Sequence, residues 1–282
     1  MLASITWDVD PEIFSLFGKP IVWYGLLWAV GLMFAIVIIG KIYKHEELPE
    51  KWFNNLFYYV VISLIIGARL GHCLFYNPEY YFTHPAKFLA VWEGGLSSHG
   101  GAIGIVIGVW LYSRKIHKSM IWTLDRVVVA AGLTGACIRL GNLLNSEIYG
   151  KPTTLPWGFN FVRDPRWSEP LGEPFFGSGG LPCHPTQIYE ALIYLAVFCL
   201  AMYMYWKTDA SKKQGLIFGT CISLIFVARI LLEYLKNVQE PFEIQMRANY
   251  GLDMGQLLSI PFVVWGIWLV WNALKKKPAT EK

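Results

Sequence analysis

One of the most apolar stretches of the sequence ends in a group of polar side chains. The apolar run begins near Val127, is long enough to lie in a bilayer, and ends in Arg139-Leu-Gly-Asn142-Leu-Leu-Asn145-Ser-Glu147. On a helix, Arg139 and Asn142 share a face, which Asn145 continues, because side chains three residues apart are neighbours. An arginine at mid-membrane costs about 2.5–3.5 kcal/mol even on lenient insertion scales, so protein partners or a bound anion must offset that cost. The stretch therefore predicts a site for an anionic lipid headgroup.

A later apolar segment begins with a second set of polar side chains, in the stretch His184-Pro-Thr-Gln187-Ile-Tyr-Glu190. Gln187 and Glu190 are three residues apart and share a helix face. A carboxylate inside a membrane usually faces a cation or water. Glu190 therefore has two interpretations: a structural ion pair with Arg139 or Arg69, or a direct contact with substrate.

Another apolar segment carries Arg229 and Glu233, four residues apart. At this spacing the two side chains can pair on one helix face, and for the pair taken alone the favoured interpretation is that Arg229 neutralises Glu233. Two arginines at similar depth in different helices can instead clamp a phosphate from both sides. Because polar acceptors accompany Arg139, we expect Arg139 and Arg229 to form such a clamp.

A histidine and a tyrosine complete the candidates. His99 lies in Trp92-Glu-Gly-Gly-Leu-Ser-Ser98-His99-Gly-Gly, and we expect Ser98 to be the N-cap of a helix that has His99 in its first turn. Helix N-terminal amides disfavour a cation, so a neutral imidazole there could accept a proton; the alternative is a histidine that only caps the helix. Tyr24 follows Trp23 near a membrane boundary, where an aromatic anchor is the ordinary role.

The composition indicates which class of protein must position these side chains. The 282 residues are 55% hydrophobic and 16% charged, whereas soluble domains carry about 25% charged residues. This balance favours a polytopic membrane protein. The net charge of +4 is modest and the basic residues cluster in short loops, which does not indicate nucleic-acid binding. The five cysteines include no CxxC pair, and no metal, nucleotide or other cofactor motif is evident.

Seven apolar segments are close to the ~20 residues that cross a hydrocarbon core. They span approximately residues 20–40, 54–76, 98–113, 121–145, 185–206, 215–235 and 254–274. Thirteen basic residues flank them on one side and seven on the other, which places the C-terminus in the cytoplasm and the N-terminus outside. We expect an all-α integral membrane protein with one membrane domain, residues 1–282. Residues 146–183, rich in Gly, Pro and Trp, would form a small outer-face cap between the fourth and fifth helices.

Four motifs together resemble the prolipoprotein diacylglyceryl transferase family. They are the stretches 92–101, 139–150, 184–190 and Met254-Gly-Gln256-Leu-Leu-Ser259, and they occur in the family's order across essentially the whole chain. The resemblance implies an enzyme of the bacterial cytoplasmic membrane that acts among membrane lipids. Such an enzyme moves the diacylglyceryl group of phosphatidylglycerol to the lipobox cysteine thiol of a prolipoprotein signal peptide, forming a thioether and releasing glycerol phosphate.

The resemblance also implies roles for individual residues. The family's important positions correspond here to Tyr24, His99, Arg139, Asn142, Glu147, Gly150, Arg229 and Glu233. His99 would take the thiol proton, while Arg139 and Arg229 would stabilise the departing phosphate. The expected substrate-binding residues are Tyr24, Asn142, Asn145, Glu147, Gly150, Gln187, Glu190 and Glu233. No metal or cofactor is required by this chemistry. The competing hypothesis is a transporter or flippase that uses the same arginines to carry an anionic lipid without changing it.

Overall fold

The computed structural model describes residues 4–75, 78–90, 97–169, 178–237, 246 and 249–275, apart from the side chains of residues 98 and 99. Within these ranges seven long helices follow the predicted apolar segments closely. They are α1 (Trp23–His45), α2 (Glu50–Phe75), α4 (Ser98–Lys115), α5 (Met120–Leu144), α6 (Thr186–Lys207), α7 (Leu216–Glu233) and α8 (Met254–Lys275), with a short α3 (Pro78–Thr83) after α2. Short 3-10 turns cover Pro85–Leu89, Pro165–Ser168 and Asp209–Lys212.

Six of the long helices in the described ranges are apolar enough to cross a membrane, and α4 is the exception. The protein is therefore a helical, multi-pass integral membrane protein. Helix α4 has 18 residues but includes four glycines, a histidine and two serines, and it ends in Arg114 and Lys115, all of which lower its apolar character. The prediction of seven spans is thus supported for six helices, and the seventh span stays a prediction.

The chain divides into two compact units, one formed by Met1–Ile38 and Val127–Lys282, the other by Ile39–Arg126. In the second unit, α2 and α4 approach each other through facing glycines. A Cβ on Gly71 would lie 2.7 Å from the Cα of Gly100, and one on Gly67 would lie 2.8 Å from the Cα of Gly104. Small residues allow helices in a membrane to pack this closely. The glycines that weaken the membrane-spanning character of α4 are therefore the ones that pack it on α2.

In the first unit, α5 lies against both α1 and α6. The Thr134 hydroxyl donates to the Gly31 carbonyl of α1 at 3.0 Å. On the side of α6, a Cβ on Gly135 would lie 3.0 Å from the ring of Tyr194. Close packing on both sides fixes the position of α5, whose last turns carry Arg139 and Asn142.

The predicted cap has a hydrophobic core, but part of it comes from the chain's N-terminal segment. Tyr149, Phe159, Phe161 and Cys183 are buried together, and Trp7 packs against them. Strand β1 (Ile5–Thr6) pairs in parallel with β4 (Phe159–Asn160), while β2 (Glu12–Leu16) and β3 (Lys19–Val22) form an antiparallel hairpin that leads into α1. Residues 170–177 of the predicted cap lie outside the described ranges.

Candidate active site

The end of α5 forms a chain of polar contacts. The Arg139 guanidinium donates from Nη1 to Oδ1 of Asn142 at 3.2 Å. The other end of the same amide donates from Nδ2 to Oε1 of Glu147 at 2.8 Å. Asn145 Nδ2 donates to the same carboxylate oxygen at 3.4 Å. The three residues that the sequence places on one stripe are therefore linked with Glu147, and Asn142 lies between the cation and the carboxylate.

A strained turn brings Glu147 back towards the helix. Ser146 and Ile148 have positive φ values of 54° and 60°, which side chains other than glycine adopt at a cost. The turn is closed by the Glu147 amide, which donates to the Asn142 carbonyl at 3.0 Å. Strain of this kind persists where the surroundings fix the conformation, and it is common at functional sites. Here it directs the carboxylate of Glu147 to the side chain of Asn142.

The buried carboxylate of Glu190 connects α5 to the segment after α7. Glu190 is 1% exposed, and its Oε2 lies 2.9 Å from Nε of Arg139. Its Oε1 accepts from Nζ of Lys236 at 2.8 Å, and the same ammonium lies 3.5 Å from Oε2 of Glu233. Of the two interpretations of Glu190, the ion pair with Arg139 is present. Arg69 instead donates to the carbonyl of Phe88 at 3.1 Å.

Gln187 supports this arrangement from one turn earlier in α6. Its Nε2 donates to the backbone carbonyl of Glu147 at 2.7 Å. Its Oε1 has no hydrogen-bond partner among the described residues, and neither does Oδ1 of Asn145. Buried acceptors are nearly always paired in native proteins. Two unpaired acceptors beside a charged cluster are therefore suited to donors from a bound molecule.

Gly150 lies where three segments of the chain cross. Its amide donates to the carbonyl of His184 at 2.8 Å, and it forms an isolated antiparallel bridge with Lys236. A Cβ at this position would lie 2.8 Å from side-chain carbons of both His184 and Thr186. Only glycine permits this approach without displacing a neighbour. The structure therefore gives Gly150 a packing role next to the polar chain.

Arg229 lies on α7, one turn before Glu233, and it is half-buried. Arg229 and Glu233 interact electrostatically, but no close ion pair joins them, and the described residues offer Arg229 no other one; Lys236 is the cation that lies 3.5 Å from Glu233. Tyr194 of α6 interacts electrostatically with both Arg229 and Arg139. The structure thus relates the two arginines through a tyrosine that the sequence analysis missed. Tyr194 follows Glu190 by four residues, and that spacing was the available signal.

Two of the candidates lie on other helices. Tyr24 of α1 packs over Gly141, where a Cβ would lie 2.9 Å from the tyrosine ring, so its ring adjoins the last turn of α5.

His99 is the second residue of α4 in the other compact unit, and its side chain lies outside the described part of the structure. The expectation that Ser98 caps α4 is wrong by one residue. Ser97 is the N-cap, and its hydroxyl accepts from the Gly100 amide at 3.3 Å.

Cys183 and His184 join the cap to α6, and burial affects both side chains. Burial raises the pKa of the Cys183 thiol to about 11 and lowers the pKa of His184, because a low-dielectric environment disfavours each charged form. Both side chains are therefore neutral near pH 7. Across the described ranges, no three His, Cys, Asp or Glu side chains converge as metal ligands would.

Apolar membrane helices that carry a buried chain of alternating charges define a class: a multi-pass membrane protein with a polar site among its helices. Comparison with known proteins gives the family. The family model for prolipoprotein diacylglyceryl transferase matches residues 11–272, and the chain belongs to that family.

Three relatives illustrate the similarity, each called phosphatidylglycerol–prolipoprotein diacylglyceryl transferase. The protein of Porphyromonas gingivalis is 54% identical and aligns over 99% of this chain and 98% of its own. That of Chloroherpeton thalassium is 43% identical over 96% and 95% of the two chains. That of Bacteroides fragilis is 42% identical over 98% of both.

Proposed function

We propose that this protein transfers the diacylglyceryl group of phosphatidylglycerol to a cysteine thiol of prolipoproteins. The thiol sulfur forms a bond to the terminal glycerol carbon of the diacylglyceryl group, and the bond from that carbon to the phosphate oxygen breaks. Glycerol phosphate leaves, and the thiol proton passes to a base. Family membership and relatives with this name at 42–54% identity support the reaction. The acceptor is the lipobox cysteine of a signal peptide.

The polar chain centred on Arg139 is the observation that carries the proposal. The Glu190 carboxylate forms an ion pair with the guanidinium, 2.9 Å from Nε, and Asn142 accepts a hydrogen bond from Nη1, so the side chain has a partner on two sides. A guanidinium has five N–H donors in a planar fork, and those left over can bind phosphate oxygens. A fixed cation aimed at the leaving group stabilises the charge that develops as the carbon–oxygen bond breaks.

Arg229 supplies the second cation of the clamp. Its guanidinium is half-buried in a membrane helix without an ion-pair partner in the described structure. Such a charge is costly unless it faces water or an anion. A phosphate bound between Arg139 and Arg229 would neutralise it, and Tyr194, which interacts with both arginines, lies beside such a phosphate. Glu233 then supports the clamp through its charge, which interacts with both Lys236 and Arg229.

The terminal glycerol of the headgroup fits the uncharged acceptors. Phosphatidylglycerol differs from other anionic phospholipids in the hydroxyl groups of this glycerol, which are hydrogen-bond donors. Oε1 of Gln187 and Oδ1 of Asn145 are buried and lack donors in the described part of the protein. Glu147 orients Asn142 and Asn145, and Tyr24 positions the glycerol or the lipid from α1.

His99 is the proposed base. An unperturbed thiol with a pKa of about 8.5 must lose its proton to become a good nucleophile. The resemblance assigns this role to His99, which lies in the first turn of α4. If it is the base, the rate will depend on a histidine-like ionisation. Robust turnover by His99→Gln, or a pH–rate profile without that ionisation, would count against this role.

We place the site at the outer face of the bacterial cytoplasmic membrane. The proposal comprises seven spans, including α4, with the N-terminus and the cap of residues 146–183 outside and the C-terminus in the cytoplasm, all in one membrane domain. The uneven distribution of basic residues supports this orientation. Prolipoprotein signal peptides would then present their cysteine at the face where the cap lies.

The deciding experiment incubates purified protein in phosphatidylglycerol vesicles with a lipobox peptide and analyses the peptide by mass spectrometry. A diacylglyceryl mass increment on the cysteine is expected, and a peptide with serine in place of that cysteine should gain none. Labelled phosphatidylglycerol that changes leaflet while the peptide stays unmodified would instead support a flippase and exclude the transferase.

A further inference from the structure

Lys236 is a buried cation whose contact with Glu190 the proposed mechanism has not yet used. It lies three residues beyond the end of α7 and is 2% exposed. Its ammonium donates to Oε1 of Glu190 at 2.8 Å and lies 3.5 Å from Glu233. A buried lysine is retained only when it is well paired, because desolvating an unpaired charge is expensive. Lys236 therefore completes the environment of the carboxylate that holds Arg139.

Backbone contacts fix Lys236 in place. It bridges to Gly150, the amide of Lys151 donates to the Leu235 carbonyl at 2.8 Å, and its own amide donates to the Glu233 carbonyl at 3.2 Å. Lys236 thus belongs to the same backbone crossing as Gly150. The segments can approach this closely only because Gly150 has no side chain. This rigidity allows Lys236 to set the orientation of Glu190.

We propose that Lys236 is a positioning residue for the transfer reaction and acts on Arg139 through Glu190; the inference rests on the proposed function. Each oxygen of the Glu190 carboxylate faces one cation: Oε2 faces Nε of Arg139 and Oε1 faces Lys236. Without the ammonium, Oε1 would be a buried acceptor with no donor. The carboxylate would then turn both oxygens to the guanidinium, because bidentate pairing is the strongest arrangement for these two groups. Arg139 would be drawn away from Asn142 and from the phosphate.

This mechanism predicts a kinetic effect that lost stability alone would not produce. A guanidinium drawn onto Glu190 still attracts the anionic lipid, but it no longer meets the charge that develops on the leaving phosphate. Such a change lowers kcat more than it raises KM. Removing the charge of Glu190 as well should release Arg139. The double variant Lys236→Met/Glu190→Gln should therefore be more active than Lys236→Met alone.

The experiment measures kcat and KM for phosphatidylglycerol with a lipobox peptide, together with the melting temperature of each variant in detergent. Lys236→Met should lower kcat by about 10–100-fold, the rate change that corresponds to the loss of one charge-assisted hydrogen bond in the transition state, and change KM much less. Lys236→Arg should regain much of the lost rate, because it restores a cation at Oε1. Lys151→Met is the matched control: Lys151 is an exposed lysine one residue from the same crossing, and this variant should behave like the unmodified protein.

Three results would overturn the inference: an unchanged kcat in Lys236→Met, a loss confined to KM, or a double variant no more active than the single one. If Lys236→Met does not fold, Glu190→Asp provides the test, because its shorter carboxylate keeps the charge but cannot reach both cations. Full activity of a folded Glu190→Asp would equally overturn the inference. Failure of the proposed function is distinguishable, because neither the unmodified protein nor Lys151→Met would then form a thioether.

Discussion

Replacing Arg139 by lysine keeps the positive charge but removes the planar fork of N–H donors that the guanidinium provides. In the structure the guanidinium uses separate nitrogens for Glu190, at 2.9 Å from Nε, and for Asn142, at 3.2 Å from Nη1. A lysine ammonium is one nitrogen at the end of a flexible stem, so it cannot keep both contacts and also bind the phosphate in a fixed direction. We expect the ammonium to remain with the buried carboxylate of Glu190, since that ion pair is the stronger of the two contacts.

The magnitude follows from the contacts that are lost. A hydrogen bond to a charged group contributes about 1.5–3 kcal/mol. If the ammonium stays with Glu190, the transition state loses one or two such bonds to phosphate oxygens. A difference of 1.36 kcal/mol corresponds to a tenfold change in rate. Arg139→Lys should therefore lower kcat/KM by about 10- to 100-fold if one bond is lost and by about 100- to 10⁴-fold if both are lost.

The assay follows diacylglyceryl addition to a lipobox peptide by mass spectrometry, with initial rates taken over a range of phosphatidylglycerol concentrations. Arg163→Lys is the matched control, because Arg163 pairs with Asp8 and Asp10 at the protein surface and should tolerate the same exchange. A folded Arg139→Lys variant with nearly full kcat/KM would refute the clamp, since a point charge would then be sufficient.

Three further predictions concern the support of the site. Gly150→Ala should lower the free energy of unfolding by about 1–3 kcal/mol through overpacking, because its Cβ would lie 2.8 Å from that of His184; thermal melting in detergent measures the change, and an unaltered melting temperature would show that the crossing can relax. Cys183 should resist thiol alkylation at pH 8 until the protein is unfolded, and prompt labelling of the folded protein would contradict this. Because burial raises the pKa of its thiol to about 11, the stability that the neutral thiol contributes should be lost as the pH rises from the ordinary thiol range through about 11. Trp7→Phe keeps an aromatic ring but loses part of the indole's packing and the Nε1 hydrogen bond to the Leu143 carbonyl, 2.9 Å long; it should destabilise the protein by about 1 kcal/mol or more in chemical denaturation, whereas a stability equal to that of the unmodified protein would mean that neither contact contributes.

The parts of the site that sequence could predict are those governed by spacing within one helix or by the cost of a charge in a membrane. Arg139 and Asn142 meet because they are three residues apart on α5. A membrane carboxylate needs a cation, and Arg139, which pairs with Glu190, was one of the two cations that the sequence suggested. The helices themselves follow from hydropathy, and their ends agree with the structure to within a few residues.

The parts that sequence could not predict depend on contacts between distant segments. Lys236 reads as an ordinary basic residue just after an apolar segment, and its burial follows from the crossing at Gly150, which no local pattern encodes. Arg229 and Glu233 have ideal spacing for an ion pair, yet Lys236 takes that place beside Glu233. Helix α4 has the length of a span, but its glycines serve packing on α2 and lower its hydropathy.

The parallel pairing of β1 with β4 bears on how the protein matures during translation. Residues 5 and 6 are synthesised early but acquire their strand partners, Phe159 and Asn160, only after four long helices have been synthesised. The indole of Trp7 can bond the Leu143 carbonyl no earlier than α5 is complete. Most of the helices are therefore synthesised while residues 5–7 still lack their partners. An affinity tag fused directly before these residues should interfere with the contact that Trp7 makes at the end of α5.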